Sequence, residues 1–154
     1  MQPFLKLTFT PDPYQREVID AQGGGVGRQL VLAIRTRFPD ADITAVGTNA
    51  AATSAMMKAG ASRATTGENA VVVCSRRADV IVGAIGIVIA DAMLGEITPR
   101  MAAAVAQSGA KRILLPVSHC DNIVAGVAGQ TVARLVDAAV QELEKLQAGS
   151  CPGA

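Results

Sequence analysis

A glycine-rich turn that follows a short apolar strand constrains the fold of this chain more than any other feature. The segment reads Val18-Ile19-Asp20-Ala21-Gln22-Gly23-Gly24-Gly25-Val26-Gly27-Arg28, with four glycines within five positions. Glycine has no Cβ, so the backbone can turn sharply there and come close to a ligand. A helix that begins at this turn directs its unpaired N–H groups and its positive dipole end toward the turn. Such a turn is typical of an anion-binding site, most often one for phosphate.

Strands and helices alternate along the rest of the chain. This alternation predicts an α/β fold, a Rossmann-like three-layer sandwich with a mostly parallel sheet of five or six strands. For residues 68–77 a helix is expected, and an antiparallel hairpin is the alternative. Apolar patterns predict strands at 18–20, 43–46, 62–66, 79–83 and 112–115, with a sixth at 123–127, and helices at 26–38, 50–59, 68–77, 98–108 and 130–147, with a short helix ending at Leu94.

Chain length and composition limit the domain organisation and the partners. We expect one domain over 15–148, preceded by an N-terminal extension at 1–14 and followed by a flexible tail at 149–154. The net charge is +1, and only three Phe, one Tyr and no Trp are present. Nucleic acid is therefore not an expected partner, because single-stranded sites need stacking rings and a basic groove.

Cysteine number and hydropathy indicate the compartment. The three cysteines are far apart in the sequence, so neither a disulfide framework nor a Cys-x-x-Cys metal site is predicted. The most apolar segment, 80–90, is far shorter than the roughly 20 residues that cross a bilayer. We therefore predict a cytoplasmic protein with no membrane partner and no metal site.

The glycine turn matches none of the three common phosphate loops completely. The dinucleotide pattern Gly-x-Gly-x-x-Gly fails because Gln22 stands at its first position. The short-chain dehydrogenase loop fits Gly25 and Gly27, but Ala21 replaces its first glycine, and the catalytic Tyr-x-x-x-Lys is missing. In the triphosphatase loop Arg28 would replace the lysine, and no hydroxyl residue follows it for magnesium. The cofactor is thus unknown, with NAD(P) or another nucleotide as the open alternatives.

The candidate binding residues lie where predicted strands end, since parallel α/β sheets bind ligands at that edge. Asp20 either caps the turn or holds a ribose, a metal or a cationic substrate. Thr48 and Asn49 occupy the place where NAD sites usually carry an acid, and they either cap the next helix or bind a ribose or 2′-phosphate. Arg28 adds positive charge. The full set is Asp20, Gln22, Gly23, Gly24, Gly25, Val26, Gly27, Thr48, Asn49 and Gly83.

No complete catalytic set is visible, so the catalytic residues are unknown. Glu68, Asp91 and Glu96 are possible acids or bases, although helix-end and solvated roles explain them as well. His119, Cys120 and Asp121 are the ingredients of a nucleophilic site. Adjacent residues on an extended chain point in different directions, so these three alone do not predict a triad.

Seven motifs together resemble a known family. They are Ile19-Asp20-Ala21-Gln22-Gly23-Gly24-Gly25-Val26-Gly27, Gly47-Thr48-Asn49-Ala50, Thr53-Ser54-Ala55-Met56, Ala59-Gly60-Ala61, Thr66-Gly67-Glu68-Asn69-Ala70, Ile81-Val82-Gly83-Ala84-Ile85-Gly86 and Met93-Leu94-Gly95-Glu96-Ile97-Thr98-Pro99. As a set they resemble a bacterial, largely clostridial and anaerobe, family of uncharacterised proteins with a domain of unknown function. The resemblance covers about residues 17–147. It implies a Rossmann-like domain and a helix at 68–77, and it brings no assigned reaction.

Three functions are consistent with the sequence. The first is binding of a nucleotide or another small phosphorylated ligand at the turn 23–27. The second is a small metabolic enzyme that acts through Glu68, Asp91, Glu96 and Cys120 at the same sheet edge. The third is a dimeric regulatory or interaction scaffold without catalysis, since symmetric homodimers are common.

Overall fold

Five short strands form one parallel sheet. The computed structural model describes residues 15–117, 122–127 and 129–149. Within these residues the sheet has the order β3-β2-β1-β4-β5, and each neighbouring pair is parallel. The predicted α/β fold is confirmed. The strands are β1 (Gln15–Asp20), β2 (Asp42–Gly47), β3 (Arg63–Thr66), β4 (Val80–Ala84) and β5 (Lys111–Leu115).

Helices cover both faces of the sheet and complete three layers. On one face Leu30, Met56 and Val140 belong to a single buried cluster, to which α1, α2 and α5 contribute. On the other face Val71 and Val105 belong to a second cluster, formed by α3 and α4. The helices are α1 (Gly25–Arg37), α2 (Ala50–Lys58), α3 (Glu68–Ser75), α4 (Pro99–Gln107) and α5 (Val132–Gln147).

Side-chain caps fix where three of these helices begin, namely α2, α4 and α5, the last through Thr131. The Asn49 side chain accepts a hydrogen bond from the Ala52 N–H at 2.9 Å, at the start of α2. The Thr98 hydroxyl accepts one from the Met101 N–H at 3.1 Å, and Pro99 occupies the first position of α4. Each cap satisfies an N–H group that has no partner inside its helix. Capping, one of the two roles considered for Asn49, is confirmed.

The first strand is longer than the sequence pattern predicts. It begins at Gln15 rather than Val18, and Arg16 and Glu17 lie buried within it. Strand β1 pairs with β2 along its whole length and with β4 along four residues. Pairing on both sides therefore draws polar residues into a central strand that their own propensity does not favour.

The helix expected before Leu94 is mostly absent. A single 3-10 turn, Ile85–Val88, follows β4, and 89–97 form a series of turns. Three non-glycine residues there have left-handed backbone conformations, namely Asp91, Met93 and Leu94. A right-handed helix cannot pass through such residues, so the segment folds back on itself instead.

Other expected segments have mixed outcomes. The helix expected at 68–77 is present as α3, and the hairpin alternative is wrong. No strand forms among the described residues of 123–127. The predicted extension at 1–14 lies outside the described residues, and so do positions 150–154 of the predicted tail.

Two glycines allow α1 to approach its neighbours closely. Gly24 has a φ of 72°, and a Cβ there would lie 2.8 Å from the Ala52 Cα. A Cβ on Gly27 would lie 2.6 Å from the Asp20 Cβ and 2.6 Å from the Met56 sulfur. These distances are too short for real carbon contacts, so the close packing of α1 against β1 and α2 requires glycine at both positions.

We predict that Gly27→Ala lowers the free energy of unfolding by about 1–3 kcal/mol, because the added methyl group overpacks the contact with β1. The matched control is Gly25→Ala, since no atom of another described part of the chain lies within 4 Å of a Cβ built at Gly25. Urea unfolding followed by circular dichroism measures both variants. Equal losses in the two variants would contradict the packing role of Gly27.

A carboxylic acid lies buried inside the central strand. Glu17 is 1% exposed, and neither of its carboxyl oxygens makes a hydrogen bond within the described residues. Burial raises the pKa of Glu17 from 4.5 to about 8, and the neighbouring Ser75 hydroxyl offsets a small part of that rise. The Ser75 oxygen itself has no hydrogen bond of normal geometry in this part of the chain. Glu17 is thus mostly protonated at neutral pH.

We predict that this group makes the fold less stable as the pH rises. Because its folded pKa lies above its unfolded pKa, its contribution is complete below pH 4.5 and is lost progressively up to about pH 8. The loss amounts to about 1.4 kcal/mol for each pH unit in that interval. Glu17→Gln should remove this slope, as measured by urea unfolding of both proteins across the interval. Parallel curves for the two proteins would refute the prediction.

Candidate functional site

The strand order places the glycine turn at a crevice of the sheet. Strand β1 lies between β2 and β4, so the chain leaves β1 toward one side and returns on the other. The order therefore reverses between β1 and β4, where the carboxyl ends at Asp20 and Ala84 lie side by side. Ligands of open α/β sheets bind in a crevice at such a reversal.

A cavity of about 200 Å³ opens at this position. Gln22, Gly23 and Gly25 line it and are exposed to solvent. Within the described residues, no side chain fills the turn. The described residues that line the cavity are Asp20, Ala21, Gln22, Gly23, Gly25, Val26, Ala84 and Met93.

Three backbone N–H groups of the turn are available to a ligand. Gly24 donates to the Ala21 carbonyl oxygen at 3.1 Å, which closes the turn. In the described part of the chain no hydrogen bond uses the N–H groups of Gly23, Gly25 or Val26. All three residues line the cavity, and two of them open α1. Unpaired amides at a helix N-terminus bind anions well.

The Asp20 carboxylate already occupies part of this N-terminus. One oxygen accepts the Gly27 N–H at 2.6 Å, and the other accepts the Ala21 N–H at 2.8 Å. Asp20 is 5% exposed, so it is buried beneath the turn. This geometry is that of a cap, one of the two roles considered for Asp20. It leaves the N–H of Gly27 unavailable to a ligand, although the sequence placed Gly27 among the binding residues.

Glu96 reaches the turn from a distant segment. Its carboxylate accepts hydrogen bonds from the Gln22 N–H, from the Asn49 amide at 3.1 Å and from the Thr48 hydroxyl at 3.4 Å. The Asn49 amide also donates to the Gln22 carbonyl oxygen at 2.9 Å. The carboxylate therefore lies over the end of β2, where dinucleotide sites carry an acid for the ribose hydroxyls.

The turns at 89–97 hold Glu96 in place. The Asp91 N–H donates to the Ile97 carbonyl oxygen at 2.7 Å, and the Ile97 N–H donates to the Ala92 oxygen at 3.2 Å. Met93 and Ile97 are buried and anchor the segment in the core. The segment is thus a compact loop that projects Glu96 between its two anchors. The sequence analysis considered Glu96 as a possible acid or base, or as a helix-end or solvated residue, because nothing local indicates that it crosses to β2.

The remaining candidate residues, Glu68, Asp91 and Gly83, do not line the cavity at the glycine turn. Glu68 accepts the Thr98 hydroxyl at 2.7 Å and an Arg100 N–H at 3.3 Å, so it binds the start of α4 and not the turn. Asp91 is exposed. Gly83 lets β4 approach β1, since a Cβ there would lie 2.8 Å from the Ile19 carbonyl oxygen.

Three further points concern the nucleophile candidates, metal ligands and membrane-spanning helices. His119, Cys120 and Asp121 lie outside the described residues. Among the residues that are described, no three His, Cys, Asp or Glu side chains are grouped so as to hold a metal ion. None of the helices in these ranges has the length and apolar character needed to span a membrane.

Comparisons with known proteins indicate a family and a distant structural similarity. The family described as a domain of unknown function, DUF3842, matches residues 16–148. No curated protein matches the chain. Among solved structures, the chain is similar to the crystal structure of a dodecameric FMN-dependent UbiX-like decarboxylase from Escherichia coli O157:H7. The identity is 13% and the TM-score 0.40, over 90% of this chain and 97% of that chain.

We predict that Asp20→Ala lowers the free energy of unfolding by about 1–3 kcal/mol, because it leaves the Gly27 and Ala21 N–H groups without their acceptor. Asp137→Ala, on the exposed side of α5, is the control and should change it by less than about 0.5 kcal/mol. Thermal and urea unfolding measure both. If Asp20→Ala is as stable as the control, the carboxylate does not cap the turn.

Proposed function

This chain belongs to the DUF3842 family, and we propose that it binds a nucleotide through one ribose and one adjoining phosphate group at the glycine turn. The phosphate is bound by the N–H groups of Gly23, Gly25 and Val26. The ribose hydroxyls donate to the carboxylate of Glu96. The proposal depends on one observation, namely that the Glu96 carboxylate lies at the end of β2 and is bonded to Gln22, Thr48 and Asn49.

The position of Glu96 supports ribose recognition. A vicinal diol offers two O–H donors, and a carboxylate offers two acceptor oxygens. In dinucleotide-binding folds the acid follows the second strand, whereas here Thr48 and Asn49 stand there and bind the Glu96 carboxylate. Glu96 is half-buried, so one side of it is accessible to a ligand. The acid that the sequence lacks at the end of β2 is in this way supplied by the loop 89–97.

Charge at the turn limits which phosphate group fits. Asp20 and Glu96 place two carboxylates against the same few amides. Like charges about 4 Å apart repel by roughly 4 kcal/mol near a protein surface. Exposed Arg28, in the first turn of α1, offsets only part of this repulsion. We therefore expect a nucleoside monophosphate or the diphosphate of NAD(P) to bind more tightly than a triphosphate.

A nucleotide panel tests the proposal. Thermal unfolding of the full chain is measured with AMP, ATP, NAD(H), NADP(H) and FMN, and with inorganic phosphate as the reference. A ligand present at about 100 times its dissociation constant adds about 2.7 kcal/mol to the stability. The absence of a shift with every nucleotide would refute the proposal.

We predict that Glu96→Gln reduces the discrimination between a ribonucleotide and its 2′,3′-dideoxy analogue. In the unchanged protein the analogue should bind at least about 100-fold more weakly, since it lacks the two donors and each hydrogen bond to a charged group contributes about 1.5–3 kcal/mol. In the variant this ratio should fall at least about tenfold, because the uncharged amide keeps only one acceptor oxygen. Glu142→Gln, on α5, is the control and should keep the discrimination. Calorimetric titration measures the six affinities of the three proteins, and equal binding of both ligands to the unchanged protein would exclude Glu96 as the ribose acceptor.

A further inference from the structure

A second cavity lies at the opposite end of the sheet, near the amino ends of β1 and β3. Its volume is about 270 Å³, and its lining includes Glu17, Thr44, Arg63, Cys74 and Arg77. The described residues that line it differ from those at the glycine turn. The inference below is therefore argued separately from the nucleotide proposal.

Three of the lining side chains form a row across neighbouring strands. Glu17 of β1 pairs with Thr44 of β2, and Thr44 pairs with Arg63 of β3. Paired residues on parallel strands share one face of the sheet. Arg63 donates to the Thr44 hydroxyl at 3.3 Å and forms an ion pair with Asp42 at 3.1 Å. The row thus runs from a carboxyl group at one end to a guanidinium group at the other.

The carboxyl end of the row lacks a hydrogen-bond partner. Glu17 is 99% buried, because only 1% of its surface is exposed, and its two oxygens are unpaired within the described ranges. A buried polar group without a hydrogen bond costs several kcal/mol relative to water. A donor that enters the cavity and reaches this group would recover that cost.

Charged groups around the cavity shift the pKa of the Cys74 thiol in opposite directions. Burial raises the pKa of Cys74, and Glu17 raises it further, while Arg77 and Arg63 lower it. Groups of opposite charge are therefore close enough to act on the same thiol. A ligand seated beside Cys74 would meet an acid on one side and guanidinium groups on the other.

We infer that this cavity binds a small α-amino acid, whose ammonium group donates to the Glu17 carboxylate and whose carboxylate is bound by Arg63 and Arg77. Guanidinium groups match a carboxylate in shape and in hydrogen-bond geometry. The cavity has room for roughly nine water molecules of about 30 Å³ each, which limits the ligand to a small molecule. A single amine or a single acid would satisfy only one end of the site.

Binding would move a proton in a way that can be measured. In the empty site burial keeps Glu17 largely protonated at neutral pH. Among the described residues, the charged or titratable groups that line the cavity with it are Arg16, Arg63, Cys74 and Arg77, and Asp42 is paired with Arg63. When an ammonium group binds, the Glu17 carboxyl loses its proton to the buffer and pairs as a carboxylate. About one proton per bound ligand should thus be released at neutral pH.

Calorimetry on the full chain tests the inference. The probes are glycine, L-alanine, L-serine, L-threonine, L-valine and L-aspartate, each at millimolar concentration, with propionate and ethylamine as the two half-ligands of alanine. We expect at least one amino acid to bind, each half-ligand of alanine to bind at least tenfold more weakly than alanine itself, and the heat to vary with buffer ionisation enthalpy as one released proton requires. Failure of every amino acid to bind, or equal binding of propionate, would overturn the inference.

Substitutions distinguish ligand binding by Glu17 from a purely structural role of this residue. Glu17→Gln should weaken amino-acid binding at least tenfold and abolish proton release, and it should leave the nucleotide shifts unchanged. Arg77→Gln should weaken binding while proton release persists. Arg112→Gln, on β5 and outside this cavity, is the control and should bind like the unchanged protein. Unchanged binding in Glu17→Gln would show that the amino acid does not occupy this cavity.

Discussion

The Asp20 carboxylate joins the end of β1 to the first turn of α1, and the glycine turn depends on that link. It accepts N–H groups from Ala21 and Gly27, one on each side of the turn. The contact requires the helix to lie almost against the strand, where a Cβ at Gly27 would collide with the Asp20 side chain. Because the carboxylate accepts the Gly27 N–H, that group is not available to a ligand. Within the described residues, the N–H groups of Gly23, Gly25 and Val26 make no hydrogen bond.

Negative charge at the turn distinguishes this site from a simple phosphate loop. Asp20 lies beneath the turn, and Glu96 lies beside it on the Gln22 N–H and the Asn49 amide. We therefore expect a highly charged phosphate chain to bind less well there than the proposed ligand, which has hydroxyl donors and fewer negative charges. The Glu96 loop also ties β2 to β1, since Asn49 bonds both Glu96 and the Gln22 carbonyl oxygen.

Strand β1 connects the two ends of the molecule. Its last residue, Asp20, shapes the glycine turn, and its third residue, Glu17, lines the cavity at the amino ends of the strands with no hydrogen bond to any described residue. A central strand of a parallel sheet is usually apolar throughout, because both of its faces are covered. The polar start of β1 therefore carries a cost in stability, which the strong pairing with β2 and β4 offsets.

The sequence alone determined the local structure and the class of fold. Glycines, caps and apolar periodicity act within a few residues, so they predicted the turn at 21–27, a cap at Asn49 as one of its two possible roles, the helix that begins near residue 98 and the alternation that makes a parallel sheet. The arrangement of the acids was decided only by tertiary structure. Glu96 reaches the end of β2 because a loop with left-handed residues folds back, and Glu17 is buried because two neighbouring strands pair with it. Contacts between residues so far apart in the chain leave no periodic trace in the sequence, since their geometry depends on how the helices and strands pack together.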